Sequence, residues 1–313
     1  MKVLITGAFG NLGLMCINQA IELGYDVVCF DLDTPKNKQQ AQRFKNITTV
    51  LGDIRNTVIF EDIIESVDAI IHNASVLPPV TDNHPQLAES INVDACKALI
   101  NSVKNSTKRP VFIFPSSVTV FGEPESNTSF KKPDDPVKPT DNYTRHKVAI
   151  ENYLKQSAID WVVLRVGVSV DARTLATDRK TFKKLLNVHP DNPLEYVHPK
   201  DVALAMCKAA IKKEAINKVL LIGGGPSCQI SQHQFLSAAF NALKLDFPAS
   251  LLGSNTFYTH WMDTSESQKI LKFQQHTFHA YIQEMDDKLK WAKYGLLPFR
   301  WLINRLLPIF FKD

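Results

Sequence analysis

The stretch Lys2–Gly13 constrains this chain more than any other. Five residues of strand character, Lys2–Thr6, run directly into Gly7-Ala8-Phe9-Gly10-Asn11-Leu12-Gly13, and an amphipathic helix reads over Asn11–Leu23. Glycines at such a junction let the backbone approach a pyrophosphate, which then sits on the free N–H groups of the helix N-terminus. A tight turn needs glycine too, and the Gly-x-x-Gly-x-x-Gly spacing departs from the more familiar Gly-x-Gly-x-x-Gly. The next strand adds weight. Asp26–Asp31 ends in a carboxylate 18 residues beyond Gly13, a position that can accept both hydroxyls of an adenosine ribose and repel a 2′-phosphate. Lys36 and Lys38 would suit that phosphate but lie further from the strand end. NAD is the expected cofactor; the plain alternative makes Asp31 a solvated loop residue.

The alternation continues with candidate strands Ile47–Leu51, Asp68–Asn73, Val111–Pro115 and Trp161–Val166, and candidate helices Pro85–Asn105 and Asp141–Gln156. Short runs rich in Val, Ile and Phe with few charges are typical of strands covered on both faces. Strand–helix–strand repetition implies right-handed crossovers and an α/β, doubly wound parallel sheet. After Asp171 the rhythm breaks. A polar stretch to Pro193 precedes a strand (Leu194–Val197), a helix (Lys200–Lys212), a strand (Val219–Ile222) and a turn at Gly223–Pro226, read as a smaller interleaved lobe. The expected division is 1–170 for the cofactor domain, 171–294 for the substrate lobe and 295–313 for an apolar, amphipathic tail.

At 313 residues, with 44% hydrophobic and 22% charged residues, the chain can bury a sizeable core, which excludes disorder, collagen or coiled coil as whole-chain descriptions. Lys and Arg number 36 against 32 Asp and Glu, too small an excess to argue for nucleic acid. The five cysteines are odd in number, widely spaced and set in apolar runs such as Val27-Val28-Cys29-Phe30. They read as buried thiols in a reducing cytoplasm rather than a disulfide framework or a metal site. The apolar run Val3-Leu4-Ile5 is halted at once by Thr6-Gly7, so it does not read as a signal peptide.

Tyr143 and Lys147 stand four apart on a candidate helix and so share a face. Free tyrosine has a pKa of about 10, and bringing it near neutrality requires roughly 4 kcal/mol, which a close ammonium in a partly buried site can supply. Lys147, aided by the positive nicotinamide ring, is therefore expected to stabilise the Tyr143 phenolate. Ser116-Ser117-Val118-Thr119 follows the fifth strand, where parallel sheets bind ligands, and a serine there can polarise an alkoxide or carbonyl oxygen.

Together these residues resemble an extended short-chain dehydrogenase/reductase of the NAD-dependent epimerase/dehydratase family, over about residues 1–230 with a looser similarity across Trp261–Phe273. The resemblance implies a Rossmann-type fold, with Ser117, Tyr143 and Lys147 as the catalytic set. It implies cofactor contacts from Gly7, Phe9, Gly10, Asn11, Leu12 and Gly13, with Asp31 and Leu32 at the ribose. Asp53 would contact the adenine and Ile54 pack beside it. Asn73, Ala74 and Ser75 resemble the segment under the nicotinamide ribose, and Asn92 the helix asparagine that steadies the active-site loop. Pro115, Val166 and Val168 would flank the nicotinamide, Val166 replacing the usual proline of a Leu-Arg-Pro segment. Ser75, Ser117, Thr119 and Gly167 would meet the substrate. His198 and Asp201, in a segment that closes the lobe, read as structural, a packed histidine and a helix-capping carboxylate.

Departures narrow the reaction. Family members that dehydrate sugar nucleotides carry Thr-Asp-Glu where this chain has Ser117-Val118-Thr119, so a 4,6-dehydratase is not expected. The Asp171–Glu195 tract is short for a nucleotide-diphosphate site; Arg173, Arg179, Lys180, Lys183 and Lys184 there read as a solvated face or as contacts to an anionic substrate. The tail has too many polar breaks (Arg300, Asn304, Pro308) for a membrane span. Its apolar side, opposed by Arg300, Asn304, Lys293 and Lys312, suits packing on the second lobe, a homodimer contact, a roof over a lipophilic substrate or a membrane surface. The expected function is an oxidoreductase on a small-molecule alcohol or ketone. Epimerisation with transient oxidation and a non-catalytic NAD-binding sensor are the alternatives.

Overall fold

The computed structural model describes residues 1–124, 130–170 and 179–311. Among them are strands β1 (Lys2–Thr6), β2 (Asp26–Asp31), β3 (Thr48–Leu51), β4 (Ala69–His72), β5 (Val111–Ser117), β6 (Trp161–Val166), β7 (Pro193–Glu195), β8 (Lys218–Ile222) and β9 (Gln229–Ser231). Seven form one parallel sheet in the order β3-β2-β1-β4-β5-β6-β8; β7 and β9 pair antiparallel apart from it. The chain steps outward from β1 through β2 to β3, then returns to lay β4 against the other side of β1. That reversal opens a crevice at the carboxyl ends of β1 and β4, where a Rossmann-type sheet holds its ligand.

Alternation along β1 explains why the strand is apolar throughout. Val3 and Ile5 face the layer of helices Asn11–Glu22 and Pro199–Ala209, beside Ile17, Val202 and Met206. Leu4 faces the opposite layer with Phe30, Ile64, Leu99 and Val103. Burying each such side chain contributes about 1.5–3 kcal/mol, so both faces resist polar substitution.

Three expectations are corrected. The segment Lys200–Lys212 does not belong to the second lobe: its helix, Pro199–Ala209, packs on helix Asn11–Glu22 in the main core. Likewise β8 is the seventh strand of the main sheet, paired in parallel with β6. Parallel pairing joins segments distant in the chain, so local apolar pattern cannot reveal the partner. The run Pro85–Asn105 is not uniformly α-helical, because Ser90–Ala95 forms a π-helical segment between Pro85–Glu89 and Cys96–Asn105. Two short helices, Pro35–Ala41 and Glu61–Ser66, occur where no element was expected. The first is opened by the Thr34 hydroxyl, which accepts the Asn37 N–H, with Pro35 at the first helical position.

The smaller lobe packs around Tyr196, Phe278 and Tyr281, with helices Gln232–Ala242 and Phe278–Lys288 over β7 and β9. Its last helix, Arg300–Phe311, docks through Ile303 beside Leu186, Leu236 and Phe247. Arg300 and Asn304, expected on the side opposite the buried one, both donate to the Asp246 carboxylate instead. That leaves Phe299, Trp301 and Leu302 exposed. Among the described residues no helix is long and apolar enough to cross a membrane. All five cysteines are free and buried. Arg173 and Lys312 lie outside the described residues, as do the side chains of Arg179, Lys180 and Lys293.

Candidate active site

The glycine turn is dictated by close approach. Gly7 has φ +62, and a Cβ there would lie 2.7 Å from the Ala74 amide nitrogen. A Cβ on Gly13 would lie 2.2 Å from the Gly7 carbonyl oxygen, so the helix N-terminus can seat only glycine against the turn. Gly10 caps that helix without a side-chain acceptor. Gly7, Gly10, Asn11, Leu12 and Gly13 all line a cleft of about 610 Å³.

Asp31 is held firmly at the far end of this turn. Its Oδ2 accepts the Phe9 N–H at 2.7 Å, and its Oδ1 accepts the Leu32 N–H and the Asn37 amide at 2.8 and 3.1 Å. It is no loosely solvated loop residue. Lys38, the candidate phosphate partner, is paired with Asp33 at 2.7 Å. Ile54 is buried in the core layer with Phe30 and Phe60, whereas Leu32 is exposed. Both oxygens of Asp53 are engaged by Arg55, which holds that carboxyl below its usual range. The expected adenine contact from Asp53 is thus met by a carboxylate already in an ion pair.

At the β4 end the cleft is lined by Asn73 and Ser75. The Thr6 hydroxyl ties β1 to this segment, lying 3.0 Å from His72 Nδ1 and accepting the Ala74 N–H at 3.3 Å. Burial pushes His72 down to about 3, aided by the Lys147 charge, so the ring is neutral. Asn92 does not line the cleft. From the π-helical segment its Oδ1 accepts from Ser75 Oγ and the Val76 N–H at 3.0 and 2.8 Å, and its Nδ2 donates to the Val76 carbonyl. Three bonds are thus closed by one side chain from the π-helical turn. Asn92 positions Ser75 and the following backbone, as its resemblance implies, rather than touching the cofactor.

Beyond β5 the catalytic set converges. Pro115, Ser117, Tyr143 and Lys147 line the same cleft, with Val166 and Gly167 opposite. The helix Asn142–Gln156 starts at a capping box in which Asp141 accepts the Thr144 N–H, and the four-residue spacing turns Tyr143 and Lys147 inward. Ser117 Oγ lies 2.8 Å from Thr119 Oγ1. Lys147 is buried, donates to the Pro115 carbonyl at 2.7 Å and lies 5.5 Å from the Tyr143 ring centroid. Burial lowers it to about 8, against the raising influence of Cys96 and Glu151.

The expectation of a stabilised phenolate rests on Lys147 and the positive nicotinamide ring together; the protein's own groups hold this tyrosine up. Burial pushes the Tyr143 hydroxyl up to about 12; a hydrogen bond with Ser117 opposes the rise and the Asp141 charge adds to it. The Lys147 ammonium lies 5.5 Å from the ring centroid and donates to the Pro115 carbonyl, and desolvation is the largest influence on the Tyr143 hydroxyl.

Val168 is also displaced from its expected place. It bridges to Tyr196 and packs into the lobe's own cluster instead of lining the cleft. Gly167 is explained by packing as well, since a Cβ there would lie 2.7 Å from the Glu195 carbonyl oxygen. Asp201 is not the helix cap: His198 Nδ1 accepts the Lys200 N–H in that role. Asp201 binds His276 and two backbone N–H groups from across the fold.

Sequence reasoning missed the support beneath Ser117. Ser116 Oγ donates to Glu151 at 2.5 Å, and Arg165 donates to both Glu151 oxygens at 3.1 and 2.7 Å, all fully buried. The signal was present, because Glu151 follows Lys147 by four residues and so continues the inward face. Leu77, Ser169 and Val170 extend the lining toward the mouth.

These residues fit NAD. The turn would be filled by any Cβ, Asp31 stands beside it, and Asn73 carries a buried Oδ1 without a hydrogen-bond partner in the cleft wall. Fold and site define a dinucleotide-binding protein of the Rossmann class. The model of the NAD dependent epimerase/dehydratase family matches residues 3–223, and the chain belongs to that family, whose members use NAD. Over 159 residues it is 27% identical to a 3-beta-hydroxysteroid dehydrogenase of Mycolicibacterium neoaurum, covering 49% of this chain and 42% of that protein. A short-chain dehydrogenase/reductase family 42E member 1 of Xenopus laevis is 26% identical over 295 residues, 83% of this chain and 74% of that one. The first curated relatives are thus matched over about half their length or less. The fold superposes with a TM-score of 0.75 on the UDP-glucuronic acid 4-epimerase of Bacillus cereus, at 21% identity over 93% of this chain and 100% of that one.

Proposed function

We propose that the chain is an NAD-dependent dehydrogenase/reductase acting on the carbinol or carbonyl carbon of a modest or lipophilic substrate. The convergence of Ser117, Tyr143 and Lys147 at one end of a cleft whose other end is the glycine turn carries this reading. Bound NAD supplies hydride exchange at the substrate carbon. Ser117 polarises the substrate oxygen by hydrogen bonding, and Tyr143 exchanges a proton with it. Held at about 12, Tyr143 keeps its proton at neutral pH, so it is ready to donate in the reductive direction; oxidation requires it to yield that proton first. Lys147, fixed by the Pro115 carbonyl, holds positive charge beneath the ring. The buried Glu151–Arg165 pair sets Ser116, and with it the backbone that aims Ser117.

The substrate oxygen would meet Ser75, Ser117 and Thr119, while Leu77, Val166 and Val170 offer apolar contact. Similarity to a 3-beta-hydroxysteroid dehydrogenase supports a secondary alcohol of that character. Val118 is buried and Thr119 bonds Ser117, so neither position bears the carboxylate that dehydration needs. A panel of secondary alcohols with NAD, and of ketones with NADH, tests the reading. Net conversion of the nucleotide supports it. Exchange of epimers without net NADH would replace it with epimerisation, and binding without any turnover would replace it with a sensor.

A further inference from the structure

The segment beyond Lys288 combines two properties that nothing in the catalytic reading uses. Trp291 is 88% exposed, Trp301 71%, Phe299 60% and Tyr294 56%, a cluster of rings along helices Lys290–Leu296 and Arg300–Phe311 and the turn between them. Scattered apolar residues on a surface need no explanation, but four aromatic rings in eleven residues form a patch that does. The segment is also basic. Residues 288–313 hold six Lys and Arg against one acidic residue, while the preceding 287 hold 30 against 31, with Asp286 and Asp287 on the helix before it. The whole chain's positive excess therefore lies among these residues.

The two properties occur in the same segment. Lys288 and Lys290 are exposed on either side of the entry to Trp291, and the exposed Arg305 lies with its guanidinium 5.5 Å from the Trp301 ring centroid. Other side chains of the segment are already committed, Ile303 to the lobe core and Arg300 and Asn304 to Asp246.

We propose that residues 288–305 form a docking surface for an anionic lipid bilayer, with the Trp291, Tyr294, Phe299 and Trp301 rings in the headgroup layer and the Lys288, Lys290 and Arg305 side chains on lipid phosphates. Trp and Tyr favour that layer because they pair an apolar ring with a polar N–H or O–H. Each basic side chain near an anionic surface adds attraction that salt screens. A protein interface would favour the rings but is depleted in lysine at its centre. Helix Arg300–Phe311 is too short to cross a bilayer, so the contact is peripheral.

Sedimentation of the full chain with vesicles tests this, comparing phosphatidylcholine alone with phosphatidylcholine containing phosphatidylserine. The expected result is binding to the phosphatidylserine vesicles, weakened by salt and accompanied by a blue shift of tryptophan emission. The double substitution Trp291→Ala with Trp301→Ala should weaken it about tenfold or more, and Trp301→Glu alone should weaken it as well. Because these rings are exposed, both variants should keep the wild-type melting temperature and NAD affinity. Failure to sediment with either vesicle, or binding that the substitutions leave intact, would overturn the proposal. So would a stable dimer in solution that the same substitutions dissociate, which would assign the face to a second copy of the chain.

Discussion

Two arginine–carboxylate pairs in this molecule have the same chemistry and opposite roles. Arg165 and Glu151 meet at 2.7 Å beneath the active site, with both side chains 2% exposed or less. Arg300 and Asp246 meet at 3.1 Å on the lobe surface, where both side chains remain largely in solvent. Away from water a charge must keep the partners the fold gives it, so the first pair, with the Ser116 hydroxyl on Glu151 and the Pro133 carbonyl on Arg165, holds the end of β5 in place. The second trades one set of hydrogen bonds for another with solvent, and holds its helix lightly. Burial, not pairing, thus separates a rigid catalytic floor from a tail that is free to serve another surface.

The comparison breaks most easily at its buried member. Arg165→Met should destabilise the fold by about 3–5 kcal/mol, because Glu151 loses its charge partner in the interior and keeps only the Ser116 hydroxyl. Adding Glu151→Leu should restore most of that loss, as seen in denaturant midpoints. If the single variant were neutral, the buried pair could not be the anchor described.

Lys147 sharpens the picture through pH. Its folded value of about 8 lies below the ordinary 10.5, so across that window the unfolded chain binds more protons than the folded one. Stability should therefore gain up to about 3 kcal/mol from this group as pH rises through the window. Urea midpoints of Lys147→Met should lack the gain that the wild type shows.

Asp31→Ala should cost about 1–3 kcal/mol of NAD binding, since it removes both a ribose acceptor and the acceptor of the Phe9 N–H that shapes the turn. Calorimetry should also show the preference for NAD over NADP narrowing. The smallest effect belongs to the exposed pair: Arg300→Ala should shift stability by about 0–1 kcal/mol. A larger loss would mean that the tail is part of the core.

The order of these effects follows what could be read in the sequence. The strands β1, β2, β5 and β6 announce themselves because burial on both faces demands continuous apolar runs. Gly7, Gly13 and the Tyr143–Lys147 pair follow from steric and helical spacing rules that are local. Partners far along the chain are not local. Asp246 stands 54 residues before Arg300, so the same arginine that looks like part of an interfacial helix's polar side is in fact its tether. The direction of the Tyr143 shift was illegible for a related reason: it follows from how deeply the fold buries the hydroxyl, which the four-residue spacing does not show. Helix Pro35–Ala41 lacks an apolar stripe, and only its Thr34-Pro35 start advertised it.

In the proposed hydride-transfer reaction Tyr143 moves a proton on the substrate oxygen. Turnover by wild type and Tyr143→Phe, measured on one substrate with NAD affinity determined in parallel, tests it most directly. The account predicts a loss of about 10²- to 10⁴-fold in kcat with NAD affinity nearly unchanged, because only the phenolic oxygen is removed. A Tyr143→Phe enzyme with near-normal kcat would contradict it.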